Sequence, residues 1–233
     1  MNNLSVSKEG FTTQVYQQLR WGLSTGVYKP GQLLNMREIA KQLNVSQTPV
    51  REALGRLVSD GALVQIDHRP ARVPMMEPDE YMEICKVRAH LEGMAAQVAA
   101  GRATAHEIDG LEAIHSCIVE ARKADDLTAI LTANRDFHLA ACELAAMPTL
   151  FRLVDNLWLI AGPVVSWLGR RPLPRPPKRH PHTVLIASLR KRDGQAASTA
   201  IAGDIMLNAE ALLPFLAAQQ LPRPANSPFT PIK

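Results

Sequence analysis

Pro70, Pro74 and Pro78 stand four residues apart, a spacing that no helix interior tolerates, because each ring removes a backbone donor and collides with the preceding turn. Around them the chain reads as helix, rich in Ala, Leu and Glu with few β-branched runs. The prolines therefore divide a mainly α chain at about residue 75. The run Ala62-Leu63-Val64-Gln65-Ile66, closed by Asp67-His68-Arg69-Pro70, reads as two short strands around a turn. This gives an expected front domain over residues 1–74, a helical bundle over 75–220, and a proline-rich, disordered tail over 221–233.

In the front domain a first helix is expected over residues 12–24, with Val15, Leu19 and Leu23 on one face, and a short second helix over 36–43. A third begins at Ser46, a good N-cap, with Pro49 in the first turn where its missing donor costs nothing. Val50, Ala53, Leu54, Leu57 and Val58 follow at helical spacing. Gln47, Thr48, Arg51, Gly55 and Arg56 are left on the outer side. Two helices around a tight turn, followed by a two-stranded wing, are a winged helix-turn-helix, although helix pairs also occur as plain packing units.

Charge narrows the choice. The formal net charge is +4; residues 1–74 hold nine Lys/Arg against five Asp/Glu, and residues 75–233 hold seventeen of each. The whole excess lies in the front third, as a polyanion partner would require. Ser46 and Thr48 offer hydroxyls to phosphates at a helix N-terminus, and Arg51, one turn on, can reach a guanine edge in bidentate fashion. The longest nearly unbroken apolar run, residues 157–168, has 12 residues against the roughly 20 that cross a bilayer. No membrane span and no secretory signal are expected, which makes the chain cytoplasmic. Cys85, Cys117 and Cys142 are widely spaced within apolar-periodic stretches and read as reduced core residues.

The segment LLNMREIAKQLNVSQTPVREALGRLVSDGALV resembles the N-terminal winged helix of GntR-family bacterial transcription regulators, whose hallmark is close to VSRTPVREAL. The resemblance implies DNA contacts at Arg37, Ser46, Gln47, Thr48 and Arg51, with His68 and Arg69 at the wing tip. Gln47 replaces the hallmark arginine, so it would favour adenine or reach only a phosphate. Arg69 stands where relatives often carry glycine. It either hinders entry to the minor groove or adds a contact there.

In the back domain, Asn134 and His138 lie one turn apart on one helix face. By themselves they read equally as a hydrogen-bonded core pair. The stretches KVRAHLEGMAAQVAA, NRDFHLAACELAAMPTL and HTVLIASLRKRDGQAASTAIAGDI are similar to segments of the FCD effector domain of the FadR subfamily. Many such domains bind a divalent metal, and the resemblance places its ligands at Asn134, His138, His182 and Asp204. That set suits zinc, nickel or manganese, with an open position for water or an effector carboxylate. His180 is a competing donor. A cavity that has lost its metal and binds effector directly remains the other reading.

Arg88 and Glu92, one turn apart, match the family's VR...LE pattern. They read as an intrahelical ion pair or, since that helix lines the family's cavity, Arg88 grips an anionic effector. His90, His106 and His115 have no partner at matching spacing and read as surface or core residues. The expected function is a ligand-responsive transcription regulator, acting as a homodimeric repressor on a near-palindromic operator and released by a small carboxylate. The alternative is a metal-dependent hydrolase built on Asn134, His138, His182 and Asp204. Against it, no spare general base is placed at recognisable spacing, and the front domain would have no role.

Overall fold

The computed structural model describes residues 8–66, 69–167 and 179–218. The order is α1 (Lys8–Ser24), β1 (Leu33–Leu34), α2 (Met36–Gln42), α3 (Gln47–Ser59), β2 (Ala71–Arg72), α4 (Pro78–Arg102), α5 (Ala105–Lys123), α6 (Leu127–Glu143), α7 (Pro148–Val165), α8 (Pro181–Arg190) and α9 (Gly194–Ala218). The expected tail lies outside the described residues, as do most of the basic loop before α8 and two residues of the wing turn, Asp67 and His68.

The front core forms where α1 crosses α3: Val15, Leu19 and Leu23 close on Val50, Ala53 and Leu57. α1 begins at Lys8, earlier than the sequence suggests, so that Thr12 lies within it. The Thr12 hydroxyl donates to Glu52 on α3, at 2.8 Å. Asn35 caps α2, its Oδ1 accepting from the backbone N–H of Arg37 at 2.9 Å. Asn44 takes a left-handed conformation, φ 51°, in the tight turn between α2 and α3, a role its short polar side chain tolerates.

The wing departs from expectation. The strand after the proline turn, β2, pairs antiparallel with β1, Leu33 opposite Arg72 and Leu34 opposite Ala71. The segment expected as its partner contributes one isolated bridge, Val64 to Arg72. Leu34, Ala71 and Val73 enter the front core from this ladder, and Ala62 and Leu63 fill the same core from the segment before the turn.

In the bundle, α4 lies along α9, α5 pairs with α6, and α8 packs across α9 and α5. Alanines 95, 96, 99 and 100 let α4 approach closely. A Cβ at Gly93 would come within 2.9 Å of the Ser198 hydroxyl on α9. α4 runs through Gly101, and the chain turns at Ala103, where Thr104 and Glu107 form a reciprocal capping box for α5. Asp126 caps α6 through the N–H of Ala129. α9 is long and apolar enough to cross a membrane by composition, yet it is a core helix of the bundle, packed on α4 and α8 with Asp204 buried at its middle. Cys85 and Cys142 are buried as expected; Cys117 is exposed, on the outer face of α5.

Candidate functional sites

α3 presents its apolar residues to the core and its N-terminal polar residues outward. Ser46 occupies the N-cap position with extended backbone, φ −69° and ψ 164°, but its hydroxyl makes no capping bond, which leaves both it and the first-turn N–H groups for an external acceptor. Gln47 and Arg51 are exposed, Thr48 is half-buried, and Arg37 is exposed on α2. Arg69 is exposed at the wing; His68 lies outside the described residues. Of the arginines further along α3, Arg56 is held back, its guanidinium lying 3.9 Å from the centre of the Tyr16 ring. Arg51 makes no ion pair among the described residues. The start of α3 thus presents a polar edge, first-turn N–H groups without a side-chain cap and an exposed cation one turn on.

The second site is buried between α4, α6, α8 and α9. His138 on α6, His182 on α8 and Asp204 on α9 bring one ligand atom each within 4.8 Å of one another. Asp204 Oδ2 lies 3.1 Å from His138 Nε2 and 3.5 Å from His182 Nε2. His138 Nδ1, on the other side of the ring, donates to Glu92 Oε2 at 2.6 Å, and Arg88 Nε donates to Glu92 Oε1 at 2.8 Å. The Arg88 guanidinium also lies 3.8 Å from the centre of the Trp158 ring. Thus Arg88 and Glu92 are a buried ion pair whose second carboxylate oxygen orients His138. Asn134, one turn before His138, is half-buried.

Charge is tightly managed here. Burial disfavours a proton on His138, but Glu92 and then Asp204 outweigh it and hold its pKa up at about 9. His182, with no such carboxylate behind it, is pushed down by burial to about 4. Asp204 is held well below the usual carboxylate range: burial would raise it, but the two imidazoles prevail. The pocket thus concentrates negative charge around one imidazole.

These residues fit a divalent cation. His182 Nε2 is fully buried with no hydrogen-bond partner among the described residues, though it points toward Asp204. The back nitrogen of His138 is fixed by a carboxylate, the arrangement that orients histidine ligands in metal sites. His182 is itself steered by Phe137, stacked on it at 3.8 Å between ring centres, and by His115, whose Nδ1 lies 3.3 Å from its own.

Of the four ligands that the resemblance implies, His138, His182 and Asp204 gather in one group and Asn134 is not part of it; Glu92 was expected only as the partner of Arg88, and neither its hold on His138 nor the inward ring of His115 was read from the sequence. His115 sits on α5 with Leu111 and Ile118 on the same buried stripe, a signal that its ring points inward. It also forms a second group with His180 and His182, again with one ligand atom each within 4.8 Å.

The fold joins a winged helix-turn-helix to a helical bundle, the architecture of a two-part DNA-binding regulator. A family model described as bacterial regulatory proteins, gntR family, matches residues 11–73, and the FCD domain model matches residues 83–205. The HTH-type transcriptional regulator McbR of Escherichia coli (strain K12) is 33% identical over 193 residues, covering 82% of this chain and 87% of its own. The Nta operon transcriptional regulator of Aminobacter aminovorans is 28% identical, covering 73% of this chain and 80% of its own. The solved structure of E. coli McbR/YncC superposes with a TM-score of 0.80 at 29% identity, covering 88% of this chain and 98% of that one.

The chain belongs to the gntR family of bacterial regulatory proteins, in the FadR-like branch that carries an FCD domain. It is a DNA-binding transcription regulator, not an enzyme, and the hydrolase alternative finds no support among its relatives.

Proposed function

We propose that the chain works as a homodimeric, cytoplasmic repressor whose winged helix, residues 1–74, reads a near-palindromic operator and whose bundle, residues 75–220, loosens that grip when a small carboxylate binds. Several relatives point the same way by name, among them the probable D-xylose utilization operon transcriptional repressor of Paenarthrobacter nicotinovorans. The observation that carries the reading is the outward edge at the start of α3. Ser46 has an uncommitted hydroxyl and Arg51 an unpaired guanidinium among the described residues.

In this reading Arg51 addresses a base edge in the major groove while Ser46, Thr48 and Arg37 meet phosphates. Gln47 addresses an adenine or a phosphate, and Arg69 with His68 works at the flanking minor groove. Two copies set their α3 helices one DNA turn apart, roughly 34 Å. The bundle cluster of His138, His182 and Asp204, with Asn134 as a neutral oxygen donor, suits zinc, nickel or manganese. A bound cation would supply positive charge to draw an effector carboxylate; the chain's own part is to fix the two imidazoles and keep the pocket dry.

The test is selection of bound duplexes from a random pool, followed by affinity measurement on the selected site. Arg51→Ala is expected to weaken binding by about 1–3 kcal/mol, roughly 5- to 150-fold, with the bundle still folded. Unchanged affinity would remove α3 as the reading element.

A further inference from the structure

His182 belongs to two groups at once. With His138 and Asp204 it forms the inner cluster, and with His115 and His180 an outer one, each residue of a group offering one ligand atom within 4.8 Å of the others. The ring meets its neighbours with different nitrogens. Nε2 lies 3.5 Å from Asp204 Oδ2, while Nδ1 lies 3.3 Å from His115 Nδ1. Two nitrogens on one tetrahedral zinc ion, each at about 2.0–2.1 Å, stand about 3.3–3.4 Å from one another, so the paired Nδ1 atoms already have the edge length of a coordination tetrahedron.

Burial orders the two groups. His138, His182 and Asp204 are 1%, 0% and 3% exposed, so a cation held by them has no ligand at the surface. The outer group leads outward: His115 is buried on α5, and His180, the N-cap of α8, is half-buried. Ring centres are 5.3 Å apart from His138 to His182, 4.5 Å from His182 to His180 and 5.1 Å from His180 to His115. Imidazoles therefore run from the surface to the closed pocket with each ring next to another. His180 Nδ1 accepts from the backbone N–H of His182 at 3.2 Å, a long bond for a cap and one that a cation displaces at small cost.

The inner end attracts a cation more strongly than the outer. A neutral imidazole carries one proton and one lone pair, so His182 serves one side at a time. A cation on Nδ1 leaves the ring proton on Nε2, facing Asp204. A cation on Nε2 leaves it on Nδ1, where His115 Nδ1 accepts it. Phe137, stacked on the ring at 3.8 Å between centres, holds its plane for either arrangement. The outer group has imidazoles alone, whereas the inner one adds the Asp204 carboxylate, and a divalent ion is drawn toward that charge.

We propose that His115, His180 and His182 form a second, outer cation position, the port through which a zinc ion enters and leaves the buried cluster, with His180 as the ligand that captures it. The inference rests on the reading that His138, His182 and Asp204 hold a divalent cation, and gives that cation its path. A port lowers the barrier equally in both directions. Its loss therefore changes rates and leaves the equilibrium alone.

Zinc uptake by the metal-stripped full chain, zinc release to excess chelator, and equilibrium affinity by competition with a fluorescent zinc chelator test the proposal. His180→Asn removes the imidazole and keeps a side chain that caps helices well; His115→Leu removes the buried outer ring. Wild type is expected to hold one zinc per chain. His180→Asn is expected to slow uptake and release by the same factor, at least fivefold, with affinity within about threefold of wild type and an unchanged melting temperature of the stripped chain. His115→Leu is expected to slow both rates in the same way. Wild-type rates in both variants would overturn the port while leaving the inner cluster in place. Affinity lost in His180→Asn with uptake unchanged would make His180 a ligand of the resident ion, and would overturn it too. A wild type that takes up no zinc would overturn the inner cation and its port together.

Discussion

Glu92 serves two neighbours at once. One of its oxygens neutralises Arg88, the other fixes His138, and both its own side chain and that of Arg88 are almost wholly out of water. At a surface such a pair at i and i+4 would be worth a few tenths of a kcal/mol. Buried, the pair matters most when one member is lost. Glu92→Ala is expected to cost about 3–5 kcal/mol in urea unfolding, because Arg88 is left charged with no partner and burial is not relieved. A loss under about 1 kcal/mol would mean that Arg88 escapes to solvent. His138→Ala removes one ligand without stranding a buried arginine. It is expected to abolish metal retained through purification, and stoichiometric metal in that variant would take His138 out of the site. These two residues also show where spacing stops informing. Asn134, His138, His182 and Asp204 follow helical and family intervals, so they could be found along the chain. Glu92 reaches His138 from a different helix, 46 residues away, and only packing reveals that contact.

Among the elements, those with local signals were the legible ones. Pro49 in a first turn marks the start of α3, although Ser46 makes no capping bond, and Thr104-Ala105-His106-Glu107 announces α5, because its capping box is written within four residues. β1 carried no such signal. Two leucines after a glycine turn become a strand only because β2 lies beside them and Leu34 drops into the core. The α5 cap allows a direct check. Thr104 Oγ1 accepts from the N–H of Glu107 while Glu107 Oε2 accepts from the N–H and hydroxyl of Thr104. Thr104→Ala is expected to cost about 1 kcal/mol, or roughly 2–4 °C in melting temperature. The hydrogen bonds from Thr104 lower the pKa of Glu107, so its carboxylate form is favoured by folding. That contribution is fully present above the ordinary glutamate pKa and is lost as pH falls through the lowered one. Glu107→Gln is therefore expected to be most costly near neutral pH, with the difference from wild type shrinking in acid. A difference independent of pH would show that the carboxylate does not matter.

Across the whole molecule, the two parts are locked by α7, whose Leu159 is buried in the front domain's own core. Gly162 permits this contact: a Cβ there would fall 2.4 Å from the Leu23 carbonyl oxygen at the end of α1. Beside it runs a polar line from sensor to reader. Arg135, three residues before His138 on α6, donates to Asp155 on α7 at 3.3 Å, and Arg20 on α1 donates to the other oxygen of Asp155 at 2.5 Å. Arg20 also donates to the Tyr16 hydroxyl, which in turn donates to Asp60, the C-cap of α3. α6 is thus joined to the far end of α3 through partners that are all ionic or hydrogen-bonded, a route by which a displacement of α6 would be felt at α3. The quantity that measures coupling is the factor by which acid changes operator affinity, and its reciprocal. Asp155→Asn keeps the shape and removes the charge that both arginines share. It is expected to leave acid-free operator affinity within about threefold of wild type while cutting at least threefold the change in operator affinity that a small carboxylic acid, found by screening, produces in the wild type. If the acid effect survives intact in Asp155→Asn, coupling runs through the apolar Leu159 contact, and Leu159→Ala should then be the variant that breaks it.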